Sequence, residues 1–249
     1  MLEDPRWRPA AAVASGPCGS LAPAAVSSSP EIEYAAQMGE TNPSAGALWA
    51  VESSGGGDGL TALEPTPAEL ADASAALAGY YNDPHNRAMM GQDGEPFTAA
   101  SVVRYYQSFR AQGGRPFLLR FGGAGASTLI GDGDLRNLRD GAAEVAILIG
   151  DRAVQGRGLG TRCVTMLHAF AFQVLGLERL YISVLPTNPA SRRLFEKLGY
   201  QVDDSPAARR HIDADTDLTL SVARAEFERR ASAGLIHLRV FERRPTAFG

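Results

Sequence analysis

Apolar and polar positions change period several times along the chain, and each change marks an element. The strongest strand pattern is AAEVAILIG, residues 142–150, whose one charged member is Glu144 and which ends at a glycine. Beyond a glycine-rich turn, apolar residues recur at 163, 167, 170 and 174, one stripe of a helix running from about Thr161 to Leu175. Upstream, LTALEPT (60–66) reads as a strand. Thr66, Pro67 and Glu69 open a helix whose inner face carries Leu70, Ala73, Leu77 and Tyr80 or Tyr81. A second helix covers AASVVRYYQSFRAQ (99–112), and RPFLLRFGG and STLIGDGDLRNL read as two strands. Downstream come a strand at RLYISVL, a short helix at NPASRRLFEKLG, and a hairpin near YQVDD and TDLTLSVARAEF. This order predicts an α/β (α+β) domain over 58–227, a mixed sheet with helices on both faces. LIHLRVF adds a candidate strand in the segment 228–249.

Composition changes the picture mainly at the N-terminus. Residues 1–57 are rich in Ala, Ser, Pro and Gly and close on VESSGGGDG, a linker-like stretch, so little regular structure is expected there. Trp7, Tyr34 and Trp49 are costly residues for a disordered tail, and we expect them to dock onto the domain or onto another subunit of a homodimer. A net charge of −4 argues against a nucleic-acid binder built on phosphate neutralisation. No apolar run reaches 18 residues, so no membrane partner is expected. The start MLEDPRWRPAAAVASGPCGS is too acidic and proline-rich for a signal peptide, so the expected location is the cytoplasm. Cys18 and Cys163 read as free thiols, Cys163 as core. With four scattered histidines and no HExxH, no metal is expected, and His168 is assigned to the helix surface.

DRAVQGRGLGTR, residues 151–162, places three glycines between a strand and a helix. Small residues let the backbone approach an anion, and the first amides of the helix point outward. A tight turn requiring positive φ would use the same glycines. A Walker motif is excluded because Thr161 and Arg162 follow Gly160. A dinucleotide motif fits poorly, since Gly156, Gly158 and Gly160 are spaced by two and Glu178 precedes its strand. Gln155, Gly158 and Gly160 instead match a pyrophosphate loop of the form Gln/Arg-x-x-Gly-x-Gly/Ala. About 30 residues later, Asn188, Ser191, Leu194, Phe195, Glu196, Lys197, Gly199 and Tyr200 match a second motif in the right order. With these motifs, residues 142–201 resemble the GNAT superfamily of acyl-CoA N-acyltransferases, in particular the branch holding ribosomal-protein N-terminal, spermidine and antibiotic acetyltransferases.

The resemblance implies a central, mostly antiparallel twisted sheet of about seven strands, flanked by helices and splayed at the cofactor site. It also implies acetyl-CoA or another short acyl-CoA as cosubstrate. Ile149, Gly150, Gln155, Gly156, Arg157, Gly158, Leu159, Gly160, Thr161, Asn188, Ser191 and Phe195 would lie along it, with the amides of 155–161 on the pyrophosphate and those near Ile149 and Gly150 polarising the thioester. The implied reaction is direct attack by an amine, which requires a base and charge stabilisation. Glu144 is the first choice of base, on the strand face shared with Ala146 and Leu148, and Asp151 is the reserve. Where many relatives have a tyrosine acid, this chain has Phe195. The hydroxyl of Ser191, one helical turn earlier, or no side chain at all, would then serve the leaving thiolate.

The same resemblance assigns the first helices and their loop to the acceptor pocket, so Tyr80, Tyr81, Asp83, His85 and Arg87 are candidate substrate contacts. DGDLRN (132–137) and DADTD (213–217) are either an acidic lining or solvated loops. The acceptor itself is open: a small-molecule amine, a protein N-terminus or lysine, or none in a module that only holds acyl-CoA. The Ala, Arg and Gly bias suggests a GC-rich bacterial source and raises the weight of antibiotic resistance or specialised metabolism.

Overall fold

The computed structural model describes residues 47–53, 59–122, 127–212, 218–233 and 238–243. Its strands are β1 (Leu48–Ser53), β2 (Leu60–Leu63), β3 (Arg115–Phe121), β4 (Thr128–Arg139), β5 (Ala142–Ile149), β6 (Arg179–Val184), β7 (Gln201–Val202), β8 (Leu218–Ala223) and β9 (Leu238–Arg243). Its helices are α1 (Pro67–Asn82), α2 (Pro84–Met90), α3 (Ala99–Ala111), α4 (Leu159–Ala169), α5 (Pro189–Lys197), α6 (Pro206–His211) and α7 (Arg224–Ser232). The strands form one sheet in the order β7-β8-β6-β5-β4-β3-β2-β1-β9. Nine strands replace the expected seven or so, because β1 and β9 from the flanking segments pair with each other and extend the β2 edge.

Two apolar layers sandwich the sheet. Val145, Ile147 and Ile149 face Cys163, Leu167, Phe170 and Val174, the helical stripe read from the sequence, together with Phe195 and Phe227. Leu118, Leu129 and Leu148 face Leu70, Ala73, Leu77 and Tyr81 of α1, with Val102 and Tyr106 of α3. Thr66 and Glu69 close a reciprocal capping box that starts α1 where the sequence predicts it. Trp49 docks on the first layer, its ring 6.2 Å from that of Phe170. Trp7, Tyr34, Cys18, His237 and DADTD lie outside the described residues.

Neighbouring strands are antiparallel except β5 and β6, the one parallel pair among the described residues. Their register holds only from Ala142↔Arg179 to Glu144↔Tyr181, after which the strands part. Each keeps its outer ladder: β5 stays on β4 to Ile149, and β6 stays on β8 to Val184. The cleft therefore opens between intact ladders. A bulge supports its β5 side. Leu119 pairs with Gly131 and Arg120 with Leu129, leaving Ile130 without an opposite residue on β3. Its carbonyl accepts from the amides of Gly150 (2.8 Å) and Asp151 (3.0 Å). Gly131 has φ +156°, and a Cβ there would lie 1.9 Å from the Leu148 carbonyl oxygen.

Three expectations need correction. DGDLRN is the middle of β4, as the strand reading of STLIGDGDLRNL has it, and not a solvated loop: Asp132, Asp134 and Arg136 are buried on the α1 and α3 side. The segment after Asp83 is helix α2 rather than loop, and α6 precedes β8. His168 is not on the helix surface: it is 3% exposed and its Nε2 lies 2.8 Å from the Tyr200 hydroxyl, against Phe172 and Phe227. Apolar neighbours four residues either side conceal such a position, because it is contacts from Tyr200, after α5, and from Phe227 of α7 that make the polar residue internal.

Two stability predictions follow from these contacts. Gly131→Ala is expected to lower the thermal midpoint by several degrees or to abolish folding, read by circular dichroism, because the new Cβ meets a ladder carbonyl. Burial, and then the charge of Arg230, push His168 down to about 3, whereas the unfolded chain titrates near 6.5. Between these values the unfolded state binds the extra proton, so the stability His168 contributes is present above pH about 6.5 and is lost as pH falls towards 3. The slope is at most about 1.4 kcal/mol per pH unit. In denaturant titrations from pH 7 to 5, His168→Gln should lose less stability than the wild type.

Candidate active site

The turn between β5 and α4 begins with Asp151, whose carboxylate accepts from the Ala153 amide at 2.9 Å and starts a short 3₁₀ turn. That is a turn-shaping role for the reserve base. Gly158 follows at φ +77°, a left-handed conformation that favours glycine, and caps α4 with no side-chain hydrogen bond. The amides of Leu159, Gly160 and Thr161 therefore start the helix without a capping side chain, beside the exposed Gly156 and Arg157. An anion accepted there would meet several backbone donors and the positive end of the helix. The Arg157 guanidinium sits 4.9 Å from the Phe121 ring centroid at the same surface. Arg162 reaches back to Ser53 at 3.4 Å. Gln155 points the other way, its Nε2 donating to the Ile149 carbonyl (2.7 Å) and to Asn86 Oδ1 (3.1 Å).

Glu144 occupies the vertex of the cleft, as the last β5 residue paired to β6. It is 4% exposed, and Asn137 Nδ2 donates to it at 3.2 Å while also donating to the His211 carbonyl at 2.9 Å. Arg136 lies opposite it in register and donates to Asp134 from Nε (2.7 Å) and from one terminal nitrogen. On the same face, the hydroxyls of Tyr81 and Tyr106 both donate to Asp132. Burial raises Asp132 to about 6 against the lowering effect of those two hydroxyls.

Along β5 the six residue steps from Glu144 to Gly150 span about 20 Å. Glu144 and the Ile149–Gly150 amides therefore stand at opposite ends of the cleft and cannot face one carbonyl. The Gly150 amide is moreover held by Ile130.

The open end is bridged by α2. Asp83 caps it, accepting from the amides of His85 and Asn86 at 3.0 Å, and lies 3.6 Å from Arg152. Asn86 Nδ2 donates to the Gly150 carbonyl at 2.9 Å, and across the cleft Asn188 Nδ2 donates to the Met89 carbonyl at 3.2 Å. Asn188 also caps α5 by accepting from the Ser191 amide at 3.0 Å. The Ser191 hydroxyl is fully buried and has no hydrogen-bond partner among the described residues, nor has the buried Nε2 of His85. Phe195 is packed in the core with its ring edge-on to Tyr200. Tyr80 lies against Gly150 and donates to the Leu129 carbonyl at 2.8 Å, while Arg87 turns to the Gly94 carbonyl at 2.5 Å.

The structure thus gathers Asp83, His85, Tyr80, Gly150, Gln155, Asn188 and Ser191 around α2. It keeps Glu144 and Tyr81 deeper. Sequence reasoning missed Asn86 and Tyr106, and it named Asp132 and Asn137 only within DGDLRN, without a role for either. Asp83-Pro84 is a helix-start signal that would have placed Asn86 on a helix, and the alternation Asp132, Asp134, Arg136 is a strand period.

Comparison with known proteins agrees with this geometry. Residues 63–201 match the family model described as an acetyltransferase (GNAT) domain. Among solved structures, the chain is similar to the spermidine N-acetyltransferase of Vibrio cholerae in complex with CoA and spermine. The two are 19% identical over 68% of this chain and 98% of that one, with a TM-score of 0.53. It is also similar to the aminoglycoside acetyltransferase AAC(6')-Ib in complex with coenzyme A (19% identity, 65% and 95%, TM-score 0.53). A third likeness is a domain from Methanocaldococcus jannaschii DSM 2661 (16%, 61% and 92%, TM-score 0.52). At these identities the structural likeness establishes the fold. No curated protein matches the chain in sequence. With the family model spanning more than half of its length, and with the split sheet and glycine loop of that fold in place, the chain belongs to the GNAT family and is an acyl-CoA-dependent N-acetyltransferase with acetyl-CoA as cosubstrate.

Proposed function

We propose that the protein acetylates a primary amine of a small molecule by direct attack, with Glu144 as the base and Ser191 as the acid. The observation that carries this reading is the position of Glu144 at the vertex of the β5–β6 split, buried and facing the α1 and α3 side. Acetyl-CoA supplies an acyl group activated as a thioester. The uncapped amides of 159–161 would hold its pyrophosphate, and the pantetheine arm would run down the cleft along β5 towards Glu144. On this path Ile149 and Gly150 contact the arm, not the reacting carbonyl. At the vertex the Glu144 carboxylate, oriented by Asn137, takes the proton of the attacking amine. The Ser191 hydroxyl stands towards the open end, the side from which the arm and its sulfur enter, and would donate to the departing sulfur there, while Glu144 at the vertex would reach the attacking amine through water.

A small acceptor is favoured over a protein N-terminus or lysine because α1, α3 and α6 pack over this face of the sheet. The named activities of these two neighbours, on spermidine and on an aminoglycoside, are in line with a small cationic amine. Buried Asp132, Asp134 and Glu144 on that face, against Arg136, give it the matching sign. We take 58–227 as the catalytic unit, with 1–57 and 228–249 contributing β1 and β9, and place the enzyme in the bacterial cytoplasm as a homodimer, in resistance or specialised metabolism. No described helix is long and apolar enough to cross a membrane.

The test is steady-state kinetics over a panel of polyamines, aminosugars and N-terminal peptides. Glu144→Gln is expected to lower kcat by about 100-fold or more with CoA affinity unchanged, and Ser191→Ala by about 10-fold or more. Turnover of peptides but not small amines would overturn the acceptor assignment, and unchanged kcat in Glu144→Gln would remove it as the base.

A further inference from the structure

Parting β5 from β6 leaves the end of β5 without a ladder partner on its inner side, yet its last carbonyls are buried among helices. Such groups require donors. Two carboxamides supply them: Gln155 donates to the Ile149 carbonyl at 2.7 Å, and Asn86 donates to the Gly150 carbonyl at 2.9 Å. The two are joined, since Gln155 Nε2 also donates to Asn86 Oδ1 at 3.1 Å. Asn86 Nδ2 makes a further bond to the Tyr80 carbonyl, 2.9 Å, at the end of α1, and the Asn86 side chain is 1% exposed. Asn86 thus uses both ends of its amide to tie α1 and α2, the wall on the acceptor side, to the strand end and to the first residue of the glycine loop. No other residue type of this size offers an acceptor and two donors in one plane.

We propose that Asn86 is a positioning residue for the cofactor loop: it fixes the Gln155 side chain, and through it the path of residues 155–158 into α4, so that the loop is held in its binding conformation before acetyl-CoA arrives. The proposal rests on the reading that residues 155–161 hold the pyrophosphate. A preorganised loop binds more tightly because less ordering is left for the binding step. Asn86 touches no substrate in this role, and its effect passes wholly through Gln155.

A double-mutant cycle read by calorimetry with CoA tests this on the full chain. Asn86→Ala and Gln155→Ala should each raise Kd by about 10-fold, and the double variant by no more than the larger single effect. Additive effects, near 100-fold in the double variant, would overturn the coupling. So would an Asn86→Ala protein that binds CoA with wild-type Kd, including one whose only change is a lower binding stoichiometry or thermal midpoint, the signature of a merely structural role. Should Asn86→Ala fail to fold, Asn86→Ser, which retains one donor for a strand-end carbonyl, enters the same cycle with the same criteria. Gly158→Val separates the two levels: it should raise Kd by at least about 100-fold if the loop holds the pyrophosphate. An unchanged Kd there would overturn the loop reading, and the role of Asn86 with it, whereas a large Gly158→Val effect beside additive Asn86 and Gln155 effects would overturn the role of Asn86 alone.

Discussion

The split between two parallel strands governs everything else in this molecule. A sheet gains by continuing its ladder, and an unmet buried carbonyl or amide costs about 1–3 kcal/mol. β5 and β6 nevertheless stop pairing after Glu144 and Tyr181. The arrangement is tolerated because each strand is anchored on its outer side, β5 by β4 and β6 by β8, and because side chains take over at the gap. Gln155 and Asn86 meet the carbonyls at the end of β5, while Asn188 holds α2 from the β6 side. The bulge at Ile130 adds a carbonyl that receives the Gly150 and Asp151 amides, so the point where strand becomes loop is fixed by backbone bonds.

The cleft has two chemically distinct ends. Its open end carries exposed glycines and uncapped helix amides, a partly positive surface suited to phosphate oxygens. Its closed end is reached on the other face of the sheet, where carboxylates outnumber the cation beside them. Asp134 and Arg136 neutralise each other, Asp132 is held by two tyrosine hydroxyls, and Glu144 retains a bond from Asn137.

Packing on the α4 side is what lets these ends stay apart. Cys163, Leu167, Phe170 and Val174 belong to one apolar cluster with Val145, Ile147 and Ile149 of β5, so the strand keeps its backing past the point where its neighbour departs. Burial also raises the Cys163 thiol to about 12, leaving it a packing residue without nucleophilic character at neutral pH. Phe195 belongs to this layer, in contact with Tyr200. Its ring completes the core where a hydroxyl would need a partner.

What the sequence determined by itself were features whose cause is local. The apolar period set β5 and α4, the Thr66–Glu69 capping box set the start of α1, and the glycines before Leu159 with the motif around Asn188 marked the loop and the family. Helix starts, strand alternation and positive-φ turns depend on neighbours within a few residues, so they can be read from a single chain. Tertiary structure alone decided the rest. LWAVES becomes sheet only by pairing with β2 and with the distant β9, and His168 becomes internal only when Tyr200, after α5, and Phe227 of α7 cover it. Asn86 looks like an ordinary helix residue until the split of β5 from β6 leaves carbonyls that need its amide. The distance between Glu144 and Gly150 was present in the numbering all along, but that one marks the vertex and the other the mouth was set by where two strands distant in sequence cease to pair.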